Sequence, residues 1–369
     1  MIIYFLMVAY VFLIGVAAKQ QVVSGATISK NNNYTNLAFA ILIFALPVFF
    51  IGFRTYVADT SSYISAYESF PNQFPILKDD IFKTRGYGWQ LYLYFIKYIL
   101  RLNTDWFLMV TAMFQAGALI KLYYKYSTDY PLSSLLFFLS VSFMQMMNGI
   151  RHFFAICLIL YFVDWIFKKK YIRFLIVVFI AISIHNVAIV WVAAVFLIQG
   201  RPANIRMLIF SFLIILAITF VDQFTNLLED SISETSYAGY TNQFSKDNGS
   251  NIAHTLVAAV PLVIAFIGRD KIAKSDDRVT NVLVNISILE TMISLLGNFT
   301  SGILIGRMPA CFSAFGYVLL PRLFQQAFNE KDARTMRVLC ILGFSAYFLY
   351  YMFYVKPNYN SALLGLNIG

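Results

Sequence analysis

The chain has 369 residues, of which 60% are hydrophobic and 12% charged, where a soluble globular domain carries about 45–50% and about 25%. That balance excludes a soluble enzyme and describes a polytopic membrane protein. The formal charge of +10 reports topology before partners, and because the basic residues scatter among short loops it argues against nucleic acid as a ligand.

The first apolar run, "MIIYFLMVAYVFLIGVAA", lacks the basic start and the cleavage site of a signal peptide and is read as a retained span over 2–18. Further spans are expected near 36–53, 104–120, 131–147, 150–167, 205–221, 252–268, 279–297, 303–320 and 337–354. Each approaches the roughly 20 apolar residues that cross a core of about 30 Å. The segment "YGWQLYLYFIKYIL", 87–100, is short and carries Gln90, Lys97 and four tyrosines. These are interface residues, so an interfacial or re-entrant helix is expected. The run 172–199 is too long for one untilted span. Basic clusters flank it, Lys168, Lys169, Lys170 and Arg173 before, Arg201 and Arg206 after. Read as a hairpin with His185 and Asn186 at its tip, it brings the count to about twelve helices in an all-α, single transmembrane domain over 1–369. Cys157, Cys311 and Cys340 all lie in apolar runs, which suggests neither a disulfide framework nor a zinc site.

Placing loops 19–35, 121–130, 168–173, 200–206, 269–278 and 322–337 in the cytoplasm gathers there most of the 28 Lys and Arg, as the positive-inside rule requires. Both termini then face outward. So do the loop 54–103 with its interfacial helix and the acidic loop 222–251. If 87–100 crosses the membrane instead, everything before it flips and 54–85 becomes cytoplasmic.

Ionisable residues near or within spans are functional candidates. Arg54 and Asp59 close the second span in "GFRTYVADTSSYISAY". Their structural reading is an anchor Arg and an Asp capping the next helix. Their functional reading is an anion-gripping guanidinium and a proton-accepting carboxylate. On a helix, Asp59, Tyr63 and Tyr67 share one face, able to meet a sugar ring. Arg151 and His152 follow a break at Asn148-Gly149, either as the polar turn of a hairpin or as a binding pair. His185, alone in an apolar run, is either a hydrogen-bonded structural residue or a proton-transfer group. Arg307 stands two residues before Pro309 and is either a snorkelling anchor or an anion ligand. Glu290 belongs to a polar stripe with Asn281, Asn285, Ser287, Ser294 and Asn298 that faces other helices; it is kept as a substrate-binding candidate. No nucleotide-binding loop, HExxH or GxSxG is present. The energy for any reaction therefore arrives in an activated substrate, without a cofactor.

The order "IGFRTYVADTSSY", "GYGW", "NGIRHFFAICLILYF", "ISIHNVAIVW", "IGRMPACFSAFGYVL" resembles the EpsG family of Wzy-like bacterial polysaccharide polymerases, over about residues 36 to 360. The resemblance implies an enzyme of the bacterial inner membrane that joins lipid-linked oligosaccharide repeats at its outer face. Arg54, Asp59 and Tyr63 match the family's first motif, Arg151 its mid-chain Arg, His185 its hairpin His and Arg307 its late Arg. Ala58 stands where a Gly is common, and His152 where a Gln is frequent. Donor and acceptor are both implied to be linked to undecaprenyl diphosphate, with a chain-length-regulating co-polymerase as a partner. The acceptor hydroxyl attacks the donor's anomeric carbon, and the lipid diphosphate leaves. Arginines suit that leaving group, Arg151 and Arg307 ahead of Arg54. Asp59 and His185 compete as general base, Asp59 slightly ahead. No carboxylate cluster for a metal is visible. Rival classes are a lipid-linked oligosaccharide flippase and an O-antigen ligase-like glycosyltransferase.

Overall fold

A computed structural model of the chain describes residues 1–24, 32–75, 86–233, 249–302 and 305–368. It is almost wholly helical and divides into two compact units. The first comprises Met1–Ile76, Gly88–Phe162 and Thr335–Gly369; the second comprises Leu77–Tyr87 and Val163–Arg334.

In the first unit, α1 (Ile2–Ser24), α2 (Asn32–Gly52), α5 (Thr104–Tyr126), α6 (Tyr130–Leu139), α7 (Ile150–Tyr161) and most of α17 (Glu330–Val355) form the bundle. Two short helices, α3 (Thr60–Glu68) and α4 (Tyr87–Tyr94), lie between α2 and α5 in the chain. The caps are written in the sequence. Asn103 accepts from the Trp106 N–H to start α5, and Asp129 accepts from the Leu132 N–H to start α6, with Pro131 in its first turn. Helices α2 and α5 pack along each other, as do α5 and α7. A short antiparallel hairpin, Tyr359–Ser361 with Leu366–Ile368, closes the C-terminal end. Its Asn360 exchanges backbone hydrogen bonds with Tyr56, and the Tyr359 hydroxyl donates to the Phe50 carbonyl at 2.8 Å. The tail is thereby fastened beside the residues that follow α2.

The second unit holds α8 (Asp164–Phe167), α9 (Tyr171–Ile184), α10 (Val190–Leu197), α11 (Ile205–Thr219), α12 (Val221–Ser233), α13 (Ile252–Ile267), α14 (Arg269–Ser275), α15 (Arg278–Phe299) and α16 (Ser313–Ala327). Helix α15 is its axis and packs against α11, α13 and α16. The expected polar stripe is buried along it: Asn281, Asn285, Ser287, Glu290 and Ser294 are each at most 5% exposed.

The chain is a multi-pass helical membrane protein, but the expected count of about twelve spans is corrected. Among the described residues five helices are long and apolar enough to cross: Ile2–Gln20, Thr104–Tyr126, Ile150–Phe167, Arg278–Phe299 and Glu330–Val355. Two bent pairs, α11 with α12 and α13 with α14, raise the number to seven. Four of the other five expected spans are broken or short for a physical reason. Between 131 and 147 the backbone turns left-handed at Val141 (φ +60°) and tightens into a 3-10 turn over Ser142–Met146. Between 172 and 199 the chain breaks at His185, as the hairpin reading expects, but the arms Tyr171–Ile184 and Asn186–Leu197 reach only about 21 and 18 Å at the usual rise. Between 303 and 320 a 3-10 turn at Met308–Cys311 delays α16 to Ser313. Helix α2, Asn32–Gly52, is about 32 Å long at the usual rise, with its apolar part over Asn36–Gly52. Segment 87–100 is an eight-residue helix followed by a five-residue π-helix, Phe95–Ile99, about 20 Å in all. That length is short of a core of about 30 Å. The greater part of the acidic loop 222–251, from 234 to 248, lies outside the described residues, as do 76–85 of the loop 54–103.

Candidate functional site

Three of the expected residues meet in one pocket of the first unit. A cavity of about 720 Å³ is lined by Asp59, Ser62, Tyr63, Trp89, Gln90 and Arg151, together with apolar groups of α3, α4 and the turn after α3. Its volume is in the range of small-ligand sites. Ser62 and Gln90 were not foreseen. The spacing of Asp59, Ser62, Tyr63 and Ala66 would have shown that Ser62 shares the face.

Asp59 occupies the N-cap position of α3, yet its side chain accepts no hydrogen bond from the helix. The capping reading is therefore set aside: the carboxylate is exposed and borders the cavity. The residue before it, Ala58, is left-handed (φ +44°), a conformation that costs an L-residue about 1–2 kcal/mol. Glycine would take this conformation without that cost.

Arg151 reaches the cavity from the first turn of α7. That helix begins after Gly149, whose φ of +79° is natural for glycine. A cation here opposes the helix dipole by about 0.3–1 kcal/mol, while the same N-terminus and the guanidinium both favour a bound anion. Neither Asp59 nor Arg151 is in an ion pair among the described residues, so the two opposite charges share the cavity unjoined. Tyr63 and Trp89 supply ring surface at the wall, 6.2 Å apart and edge to face.

Two cations, Arg54 buried and Lys97 half-buried, hold α3 in place. Arg54 is 1% exposed and does not line the cavity. Its Nε donates to Thr60 Oγ1 at 2.9 Å, its Nη2 to the Met146 and Met147 carbonyls at 3.4 and 3.2 Å, and its Nη1 to the Ile51 carbonyl. Burial lowers its pKa to about 10, opposed by the neighbouring Tyr359, Tyr4 and Tyr63, and it remains charged at neutral pH. These contacts correct its expected grip on an anion: its nitrogens join the start of α3 to the turn before α7. At the other end of α3, Lys97 donates to the carbonyls of Tyr67, Glu68 and Phe70 at 2.9, 2.7 and 3.0 Å, a cation on helix-end carbonyls. Tyr67 turns inward. It stacks on Phe107 at 4.3 Å and donates to the Leu102 carbonyl at 2.7 Å, so it does not share the sugar-facing surface expected of it. His152 is buried and does not line the cavity.

The remaining candidates belong to the second unit. His185 Nδ1 accepts from the Val187 N–H at 3.2 Å and caps the 3-10 turn Asn186–Ile189. With Nδ1 as the acceptor, Nε2 carries the proton of the neutral ring. Arg307 is exposed in the turn before Met308–Cys311, rather than a turn into a span. These two 3-10 turns pack together, and Cys311 Sγ lies 3.9 Å from the Val187 carbonyl. His185 and Arg307 thus stand beside adjoining turns. Glu290 is 5% exposed in the middle of α15. It sits against Gly316, where an added Cβ would come within 3.6 Å of its Oε2. Among the described residues no group of three or more His, Cys, Asp or Glu converges as metal ligands.

A family model described as the EpsG family matches residues 37–364. Neither the curated proteins nor the solved structures include a match to this chain.

Proposed function

The chain belongs to the EpsG family, and on that premise we propose that it is a membrane glycosyltransferase that polymerises undecaprenyl-diphosphate-linked oligosaccharide repeats into a bacterial surface polysaccharide. The work is done at the extracytoplasmic face of the inner membrane. EpsG is a Wzy-like polymerase family. The observation that carries the reading to particular residues is the cavity in which Asp59, Arg151, Tyr63 and Trp89 meet.

The acceptor hydroxyl oxygen forms a bond to the donor's anomeric carbon. The carbon–oxygen bond to the lipid diphosphate breaks, and its electron pair leaves on the phosphate oxygen. The hydroxyl proton passes to Asp59. Asp59 is preferred to His185 as the base for a structural reason. Its carboxylate borders the cavity without a capping bond, whereas the neutral His185 ring has Nδ1 engaged and Nε2 protonated, which makes it a donor. A positioned base contributes about 10²–10⁴-fold.

Arg151 meets the negative charge that grows on the leaving diphosphate, a contact worth more in the transition state than in the ground state. Its fork matches phosphate oxygens in a way that lysine does not. Tyr63 and Trp89 face the sugar rings, and Ser62 and Gln90 offer hydrogen bonds to hydroxyls. Arg307, exposed beside the His185 turn, is assigned to binding a lipid-linked diphosphate. Arg54 and Lys97 act as positioning residues that fix α3. Glu290 and His152 are assigned to packing within their units rather than to substrate.

The test is purified protein in liposomes supplied with lipid-linked repeats. Products of doubled and higher mass support the reading. Unchanged repeats carried across the bilayer would mean a flippase, and transfer only to a lipid A core would mean a ligase. Arg151→Ala should cut polymer formation about 10²–10³-fold, and Arg151→Lys should recover part of it.

A further inference from the structure

A second cavity, in the other unit, is not used by the polymerase reading and does not depend on it. It measures about 440 Å³ and is bounded by the loop 201–203, the end of α13, helix α14 and the start of α15. Its deep wall is apolar, with Leu262, Ala265, Val284 and Ile288. Its rim is charged, with Arg201, Arg269, Asp270 and Asp276.

The walls are fixed by buried polar groups. Asn285, wholly buried, donates to the Ile198 and Arg201 carbonyls at 3.0 and 3.2 Å and accepts from the Ala203 N–H at 3.0 Å. It pins the loop to α15 although Ala203 is left-handed (φ +50°). Across the cavity Asp276, also left-handed (φ +42°), accepts from Asn281 Nδ2 at 3.0 Å. Asp276 takes the left-handed conformation as the C-cap of α14, where such a residue is ordinary, whereas Ala203 is held there by its surroundings.

Asn281 then supplies the pointer to a ligand. It lines the cavity and is 5% exposed, yet its Oδ1 has no hydrogen-bond partner. A buried acceptor left unmet costs about 1–3 kcal/mol, and buried polar groups are ordinarily paired. The missing group is a donor, and the Asp276 carboxylate beside it suits a donor that carries positive charge or several hydroxyls. The two guanidinium groups at the rim suit a phosphate. Arg269 also stacks on Phe266 at 4.7 Å. Phe266 and Ile267, 64% and 60% exposed, continue the rim as an apolar surface of the kind that faces lipid tails. Cations beside such a surface are the usual setting for a lipid headgroup.

We propose that this cavity binds a membrane glycerophospholipid whose headgroup carries both a phosphate and a hydrogen-bond donor, an amine or hydroxyl headgroup rather than a fully methylated one. The donor meets Asn281 Oδ1, the phosphate meets Arg201 and Arg269, and the glycerol with the upper acyl chain lies on the apolar wall.

The experiment is native mass spectrometry of the full chain in a delipidating detergent, titrated separately with phosphatidylethanolamine, phosphatidylglycerol, phosphatidylcholine, polyprenyl phosphate and soluble phosphoethanolamine. The first two should bind about fivefold or more tighter than phosphatidylcholine, the worth of about one hydrogen bond. Asn281→Leu should bring the three to within about twofold of each other, and Arg269→Gln should weaken all phospholipids. Ala273→Trp, at the exposed mouth of the cavity, should block binding with an unchanged melting temperature. It therefore tests the site even if Asn281→Leu fails to fold. Equal binding of phosphatidylcholine, or undiminished binding in Ala273→Trp, would overturn the proposal. So would tighter binding of polyprenyl phosphate, or saturation by phosphoethanolamine alone.

Discussion

The pocket of Asp59 and Arg151 and the corner of His185 and Arg307 offer the same pair of chemical groups, a titratable side chain and a guanidinium, but they are built in opposite ways. In the pocket both groups stand clear of internal partners and the scaffold does the holding, through Arg54 and Lys97 at the two ends of α3. In the corner the titratable group itself does the holding, since His185 Nδ1 caps the turn that follows it. A residue that maintains its own loop is poorly free to move a proton. The difference teaches that sequence position beside a break in an apolar run does not separate a catalyst from a cap; the destination of its lone pair does.

The largest effect on the scaffold should come from Arg54→Ala. It removes the guanidinium donor from the buried carbonyls of Ile51, Met146 and Met147, of which Met147 keeps the Thr60 hydroxyl, and should cost about 3 kcal/mol or more, read as a fall in melting temperature with loss of polymer. Arg307→Ala, at an exposed turn, should change stability by no more than about 0.5 kcal/mol. Equal losses from the two substitutions would erase the contrast between buried and exposed arginine. Lys97→Met should come next, at about 1–2 kcal/mol. Its activity should fall further than its melting temperature accounts for, because α3 carries Tyr63.

The two units should also part company in acid. Burial pushes the Asp277 carboxyl up, but hydrogen bonds from Thr280 and Arg322 and the charge of Arg322 outweigh it and hold the group at about 2. A value below the ordinary 3.8 means that its contribution to stability is whole above about pH 4 and is lost as pH falls towards 2. Arg54 and Lys97 bond to carbonyls that do not titrate. Hydrogen exchange across that range should therefore loosen the start of α15 before α3, and Asp277→Asn should abolish the order. The smallest effect should be Ala58→Gly, which relieves a left-handed residue. It should raise stability by about 1 kcal/mol or less, the gain in conformation being offset by chain entropy.

Much of this was legible in the sequence. The one cap named from the sequence, Asp59, makes no capping bond, whereas Asn103, Asp129, Asn204 and Asp277, not named as caps there, each accept helix N–H bonds. The polar stripe of α15 followed from three- and four-residue spacing. Asp59, Tyr63 and Arg151 were named from local pattern and meet in one cavity. What could not be read was anything fixed by distant carbonyls. Arg54 looked like a ligand because its partners at Met146 and Met147 lie about ninety residues away in the chain and offer only backbone. Tyr67 looked like a sugar platform because the ring it stacks on belongs to another helix. The break at His185 was legible, but the span count failed because composition does not register the left-handed turn at Val141 or how short the two arms flanking His185 are.

The central claim is that polymerisation runs through the Asp59 carboxylate and not through the His185 ring. The direct measurement compares Asp59→Asn with His185→Asn in liposomes containing lipid-linked repeats, following the rate at which doubled repeats form. Asp59→Asn should lose about 10²–10⁴-fold with an unchanged melting temperature. His185→Asn, which keeps an acceptor for the Val187 N–H, should stay within about threefold of the unsubstituted protein. The reverse order, with Asp59→Asn active and His185→Asn silent, would contradict the account.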